Sequence, residues 1–291
     1  MFLSATVYEN RQENGEEKKV KNIRLAYSPL INAGDVLNKE LVEKISGKRV
    51  IRSKVYNADM MAIGGALFGA QYSDNKLKFA QKILHIIYGK KPLYVWGSGF
   101  LRSNNDNGFY RSNLKICALR GKKTQKKLED ITGRKYNVLL ADAGLLVDML
   151  LTKPVKKKYE IGLIPHFSQQ GEKLFKDAQK NPDYHFIDIR KSPKEVAAEI
   201  ASCKCIASSS LHGLIFADSM HIPSLRLVGK TELPGGEFKF EDYYSCYGVK
   251  DKPWRDHEKL PTKKDIIERS CVDFKMVDEK KKALIECFPK F

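Results

Sequence analysis

The stretch Cys205-Ile206-Ala207-Ser208-Ser209-Ser210-Leu211-His212-Gly213, with the apolar residues that follow it to Met220, decides how this chain is read. Residues 205–207 form a short continuous apolar run, as expected of a strand buried on both faces. The serines are turn and N-cap residues, and 213–220 resumes as a helix. Strand, turn and helix make up half of a parallel β–α–β unit, and ligands of open parallel sheets bind at the carboxyl ends of the strands. Here hydroxyls, a titratable imidazole and a glycine gather at a helix N-terminus, whose free N–H groups and dipole favour anions. A serine cap and a packing glycine would account for the turn without a ligand, but they leave His212 without a reason. His212 is therefore a candidate general acid or phosphate contact.

The same alternation runs outward in both directions. Around the first stretch, strands are expected at 159–164, 185–188 and 224–227, and helices at 171–180 and 192–202. The second of these helices opens on Ser192-Pro193-Lys194-Glu195, with serine at the N-cap, proline at the first helical position and glutamate at the third. Farther upstream, strands are expected at 23–28, 49–53, 60–63, 93–96, 115–119 and 137–140, and helices at 35–45, 77–88 and 124–132. The Lys-rich stretch 152–158 (TKPVKKK) interrupts the pattern and reads as a linker. The expected organisation is a polar arm over 1–22, a Rossmann-like domain over 23–152 and a second over 153–291 that ends in two helical stretches. The fold class is α/β, with two doubly wound domains facing each other.

Bulk properties narrow the function. The 291 residues are 42% hydrophobic, enough for a sizeable core. No apolar run reaches the ~18 residues of a spanning helix; the longest candidate, 138–151, contains Asp142 and Asp148. The N-terminus lacks the basic-then-apolar order of a secretory signal. The six cysteines are dispersed without a CxxC pair, which points to reduced thiols in a cytoplasmic protein. HExxH and DxD patterns are absent, so neither a metal nor a resident cofactor is expected. GxSxG, GxGxxG and P-loop patterns are absent too. The net charge of +17 suits nucleic acid, an anionic membrane or anionic small molecules, and equally a solvated basic surface. No nucleic-acid-binding module is recognisable.

Other strand exits offer further candidates. Asn32-Ala33-Gly34-Asp35 follows the first strand, where Asp35 is either an N-cap or a site carboxylate. Gly64-Gly65 permits close backbone approach to an anion, or simply a tight turn. Trp96-Gly97-Ser98-Gly99 adds a hydroxyl and an indole, which could face a sugar or the core. Arg120, with Thr124 four residues on, could grip a phosphate or carboxylate, or lie at the surface. His166 follows Pro165 at the expected cleft edge.

Taken in order, these turns resemble the polysaccharide pyruvyl transferase family. The matching pieces are Asn32 to Asp35, Ile63-Gly64-Gly65-Ala66-Leu67, Trp96 to Gly99, Leu119-Arg120-Gly121 with Thr124, Ala141-Asp142-Ala143-Gly144-Leu145-Leu146, Ile161 to His166, and Ser209 to Leu214 through Pro223. They span residues 23–228. The chain departs from the family pattern at Ala66, where a third glycine is usual, and at Ala143, where a proline is usual.

The resemblance implies two Rossmann-like domains in a GT-B-type arrangement. It also implies a reaction in which the enolpyruvyl group of phosphoenolpyruvate becomes a pyruvate ketal on a sugar of a bacterial surface polysaccharide, or of its lipid-diphosphate-linked precursor, with release of phosphate. Phosphoenolpyruvate would be a co-substrate. By the same resemblance, Arg120 grips the donor; Gly64, Gly65, Ser98, His166, Ser209, Ser210, Leu211 and Gly213, read from their strand exits, are the other expected donor contacts. His212 is the essential histidine, and Asp35 or Asp142 is the base on the sugar hydroxyl. A basic face, including Lys263, Lys264 and 280–282, would meet the inner membrane surface. Two alternatives stand beside this one: a GT-B-like glycosyltransferase using a nucleotide sugar, and a non-catalytic protein that binds anionic surfaces.

Overall fold

The computed structural model describes residues 22–28, 32–73, 76–103 and 106–291. The expected polar arm lies outside these residues except for Asn22.

The first sheet holds β1 (Ile23–Ala26), β2 (Val50–Arg52), β3 (Met60–Met61), β4 (Leu93–Ser98), β5 (Leu114–Leu119) and β6 (Leu139–Leu140), in the order β2-β1-β3-β4-β5-β6. The second holds β7 (Tyr159–Ile164), β8 (Tyr184–Phe186), β9 (Cys203–Ser208) and β10 (Ser224–Arg226), in the order β10-β9-β7-β8. Every pairing is parallel. Parallel strands are covered on both faces, which is why β3 and most of β4 and β9 are apolar and buried.

The helices are α1 (Ala33–Ser46), α2 (Leu77–Tyr88), α3 (Lys122–Thr132), α4 (Lys173–Ala178), α5 (Pro193–Ala201), α6 (Leu211–Ser219), α7 (Phe238–Ser245), α8 (Lys263–Arg269) and α9 (Phe274–Glu286). The capping box expected at Ser192 and Glu195 is present at the start of α5. Every residue of α6 is buried, so it runs through the core instead of covering one face. It also begins two residues earlier than its apolar pattern indicates. The Ser208 hydroxyl donates to the carbonyls of Ile164 and Ser210 and accepts the Ser210 N–H, which fixes the turn and leaves Ser210 as the N-cap. His212 therefore sits in the first helical turn.

Two elements lack a clear sequence signal. Residues 143–150 form 3-10 turns capped by Asp142 and pack among α1, α5, α6 and α9. Helix α7 follows Pro234-Gly235-Gly236 and has no side-chain N-cap bond. The chain end returns to the first sheet: the Trp96 indole donates to Leu284 O of α9 at 2.9 Å and meets Phe288 edge-to-face at 5.0 Å. Trp96 is therefore a core residue. One apolar cluster takes in Leu25 and Trp96 of the first sheet, Leu145 of the 3-10 turns, Ile206 of the second sheet and Leu284 of α9.

In each sheet the strand order reverses once. β2 lies on one side of β1 and β3 on the other, while β8 lies on one side of β7 and β9 on the other. Crossovers diverge at such points and leave a crevice at the carboxyl ends of the strands.

Candidate functional site

A cavity of about 260 Å³ lies where the carboxyl ends of both reversal points meet. Segments after β1 (Ser28, Asn32, Asp35) and β3 (Ile63, Gly64, Gly65) line it from the first sheet. Segments after β7 (His166, Phe167) and β9 (Ser210, Leu211, His212) line it from the second. Arg120, Leu101, Pro234 and Lys239 complete the wall. At this volume, smaller than the roughly 300–1,000 Å³ of drug-sized sites, the cavity suits a compact metabolite.

Local structure accounts for each position. Asn32 caps α1 by accepting Gly34 N–H at 3.0 Å, which holds Asp35 in the first turn. The Asn38 amide accepts Ile63 N–H at 2.9 Å and donates to Asp35 O at 3.1 Å, tying α1 to the exit of β3. Gly64 has φ of +86°, a left-handed conformation that favours glycine. A Cβ at this position would lie 3.9 Å from both Asp35 Oδ1 and His212 Cε1, so the carboxyl and the imidazole border one space. Gly34 lies against the flat of the His212 ring, and a Cβ there would overlap it. We therefore expect Gly34→Ala to displace the imidazole and lower stability by about 1–3 kcal/mol, a loss that urea denaturation would register. An unchanged midpoint together with unchanged ligand binding would contradict this packing.

The electrostatics are strongly perturbed. Burial, with Lys239, Arg120 and His166 nearby, lowers His212 to about 3, and its Nε2 is buried without a hydrogen-bond partner among the described residues. Burial, with Lys239 nearby, lowers His166 to about 4. Both imidazoles are therefore neutral near pH 7 in the free protein. Burial raises Asp35 to about 7 against the opposing pull of Lys239. Burial, with Arg120 and Arg226 nearby, lowers Lys239 to about 8, while Asp35 raises it. Lys239 makes no hydrogen bond or ion pair with any described residue; its ammonium lies 5.3 Å from the Phe240 ring centre. Cations and neutral imidazoles around the cavity form a site suited to an anion.

Arg120 is held from behind. Its Nε donates to Asp242 Oδ2 at 2.8 Å and its Nη2 to Phe100 O at 2.6 Å. The same carboxylate accepts Thr124 N–H and Thr124 Oγ1, each at 2.7 Å. Both members of the ion pair are buried. Asp242, from α7, thus joins the exit of β5 to the start of α3.

Of the residues singled out in the sequence, Asp35, Gly64, Gly65, Arg120, His166, Ser210, Leu211 and His212 line the cavity. Ser98, Ser209, Gly213 and Asp142 stand behind its wall. Ser98 Oγ donates to Gly64 O and accepts Ala66 N–H, clamping the glycine turn. Ser209 Oγ accepts His166 N–H at 2.9 Å. Gly213 makes room for the Ser208 hydroxyl. Asp142 is fully buried, raised by burial to about 6, and accepts Gly144 N–H at 2.8 Å. Asp35 is the only carboxylate among the described lining residues. Lys239 and Asp242 were not singled out, and Asn32 stood only in the turn that leads to Asp35. An N-cap asparagine has a structural reading of its own, and Lys239 is one of 52 basic residues.

Known proteins share parts of this sequence and fold. An uncharacterised protein of Acanthamoeba polyphaga mimivirus is 27% identical over 238 residues, covering 78% of this chain and 75% of that protein. The succinoglycan biosynthesis protein ExoV of Rhizobium meliloti (strain 1021) is 25% identical over 117 residues, covering 40% of this chain and 36% of ExoV. A functionally uncharacterised protein of Klebsiella pneumoniae aligns structurally over 78% of this chain and 87% of its own, at TM-score 0.44 and 13% identity. The model of the polysaccharide pyruvyl transferase family matches residues 6–229, which takes in every lining segment except those of Pro234 and Lys239, and the chain belongs to that family.

Proposed function

We propose that the protein transfers the enolpyruvyl group of phosphoenolpyruvate to two hydroxyls of a saccharide, forming a pyruvate ketal and releasing phosphate. The acceptor is a polysaccharide unit or its lipid-diphosphate-linked precursor. In this reading, residues 23–152 and 153–291 are two Rossmann-like halves in a GT-B-type arrangement, with the donor between them. The observation that carries it is the convergence of Arg120, Lys239, His166, His212 and the N-terminus of α6 on one compact cavity whose described lining holds one carboxylate, Asp35. A small donor bearing both a phosphate and a carboxylate needs such a set.

In the proposed reaction, a proton adds to the methylene carbon of the donor and a sugar oxygen bonds to the central carbon. That sugar hydroxyl loses its proton. The second hydroxyl then displaces phosphate, which departs with the second proton. Asp35 keeps its proton to about 7, so its carboxyl supplies the methylene proton. Neutral His212, across the same space, accepts the proton of the attacking hydroxyl. These roles reverse the acid and base expected from the sequence. Arg120 and Lys239 hold the phosphate and carboxylate. The acceptor enters from a neighbouring cavity of about 720 Å³, lined in part by Tyr27, Tyr56 and Tyr110, which shares Ser28, Gly65 and Ala66 with the site.

Two measurements follow from these roles. Because the acid must be protonated and the base neutral, kcat/KM should fall as pH rises through about 7, and Asp35→Asn should abolish most of the rate. A rate that climbs steadily above pH 7 would contradict the assignment of Asp35. Lys239→Met should raise KM for phosphoenolpyruvate about 10- to 100-fold without lowering the melting temperature, since it removes a buried cation that lacks an ion pair. The reading as a whole is tested by phosphate release from phosphoenolpyruvate in the presence of a panel of glycosides, with the ketal methyl group followed by NMR. Saccharide-dependent release supports it; turnover of a nucleotide sugar instead would replace it with glycosyl transfer.

A further inference from the structure

Helix α2 carries an apolar face that none of the described residues covers. None of its side chains is buried. Leu77, Phe79, Ile83, Ile86 and Ile87 are exposed by 60%, 73%, 47%, 81% and 62%. Phe79, Ile83 and Ile86 recur at helical spacing on one side, with Ile87 beside them. The opposite side faces the body of the protein: Gln81 bonds to Ser73 N and Gln71 O, His85 to Tyr110 O, and the Tyr88 ring lies tilted against Tyr56. Among the described residues no helix is long and apolar enough to cross a membrane, and α2 has 12 residues.

Along the helix itself the charges are of one sign, and of its flanking lysines Lys91 is paired with Asp59. Residues 76–91 (KLKFAQKILHIIYGKK) contain five lysines and no acid. Lys78 and Lys82 border the apolar side chains, and Lys76 and Lys90 are exposed at the ends. A second copy of the chain docked here about a two-fold axis would set these lysines against themselves. A bilayer with anionic headgroups accepts both halves of the surface, the aliphatic and aromatic groups below the headgroups and the ammonium groups among them. We propose that α2 docks this protein on an anionic lipid bilayer, lying in the plane of the interface.

The surface differs from the basic tail expected from the sequence. There Lys280 is bonded to Leu140 O, Lys281 to Asp148 and Lys263 to Glu160. The position of α2 also gives docking a use. Leu77, Ala80, Gln81 and Leu84 of α2 line the same cavity that adjoins the site through Ser28, Gly65 and Ala66. A bilayer against α2 therefore lies beside the entrance assigned to a lipid-linked acceptor. That purpose rests on the proposed transfer, while docking itself is read without turnover, so the two fail separately.

The test is co-sedimentation of the whole protein with vesicles of phosphatidylcholine alone and of phosphatidylcholine mixed with phosphatidylglycerol. Binding to the mixed vesicles only, weakened by salt, is expected. Ile83→Glu with Ile86→Glu should weaken it on the order of a hundredfold, and Lys78→Glu with Lys82→Glu at least about tenfold. All four positions are at the surface, so unchanged circular dichroism and melting should accompany both losses. No binding to mixed vesicles would overturn the proposal, as would binding that survives the isoleucine changes. A dimer in solution that the isoleucine changes dissociate, with no vesicle binding, would assign the face to a second copy instead.

Discussion

Asp242→Ala should lower stability by about 3–5 kcal/mol, because it removes one partner of a buried ion pair and leaves the other uncompensated. The carboxylate accepts from Arg120 Nε, Thr124 N and Thr124 Oγ1 at once, in a region closed to water. Among the described residues this carboxylate is the acceptor for all three donors, so its loss leaves them to bear a desolvation penalty. For a chain of 291 residues the melting midpoint should drop on the order of 10 °C. Adding Arg120→Met to Asp242→Ala should restore part of the loss, since an apolar replacement of both members no longer buries a lone charge. The comparison is made by urea denaturation of the two variants. A loss below about 1 kcal/mol in Asp242→Ala would mean that Arg120 finds another partner and is not held in place by α7.

His212→Ala should do the opposite: retain the fold and lose the reaction. Its Nε2 has no partner among the described residues, so truncation breaks no hydrogen bond there, and Gly34 already leaves the ring room. If neutral His212 takes the proton of the attacking hydroxyl, its removal should slow phosphate release about 10²- to 10⁴-fold. The effect should fall on kcat more than on KM for the donor, because Arg120 and Lys239 keep the anion contacts. Saccharide-dependent kinetics on the variant separate the two constants. A change confined to KM would make His212 a donor contact and return the question of the base to other groups.

The two outcomes divide the molecule into parts that were legible in the sequence and parts that were not. The strand exits were legible because parallel strands covered on both faces appear as short apolar runs, and each run here ends on small, polar or turn-forming residues. His212 stood out because an imidazole at a helix start has little structural purpose. Ser98, Ser209, Gly213 and Asp142 occupy equivalent turns and have the same chemical types, yet they face away from the cavity. Residue type at a strand exit does not state which side of the turn a side chain takes. Turn-building and ligand-binding both use hydroxyls, glycine and aspartate.

Asp242 and Lys239 were illegible for another reason. Asp242 meets Arg120 across 122 positions of chain, and only tertiary packing makes them partners. Helix α7 starts after two glycines with no capping side chain, so its aromatic residues Phe240, Tyr243 and Tyr244 were the remaining cue. The return of α9 to Trp96 is equally non-local. Among 52 basic residues, nothing in the chain marks Lys239 as one of those turned inward.

The most direct test of pyruvyl transfer at this site is a calorimetric titration of the protein with phosphoenolpyruvate, set beside phosphate, pyruvate and nucleotide sugars, in buffers of different ionisation enthalpy. Burial holds Asp35 at about 7 and Lys239 at about 8, and an anion entering beside them favours the protonated form of each, so binding should take up protons near neutral pH while His212 stays neutral. Saturable binding of phosphoenolpyruvate, tighter than phosphate and accompanied by proton uptake, is expected. Binding of a nucleotide sugar with none of phosphoenolpyruvate would contradict the account.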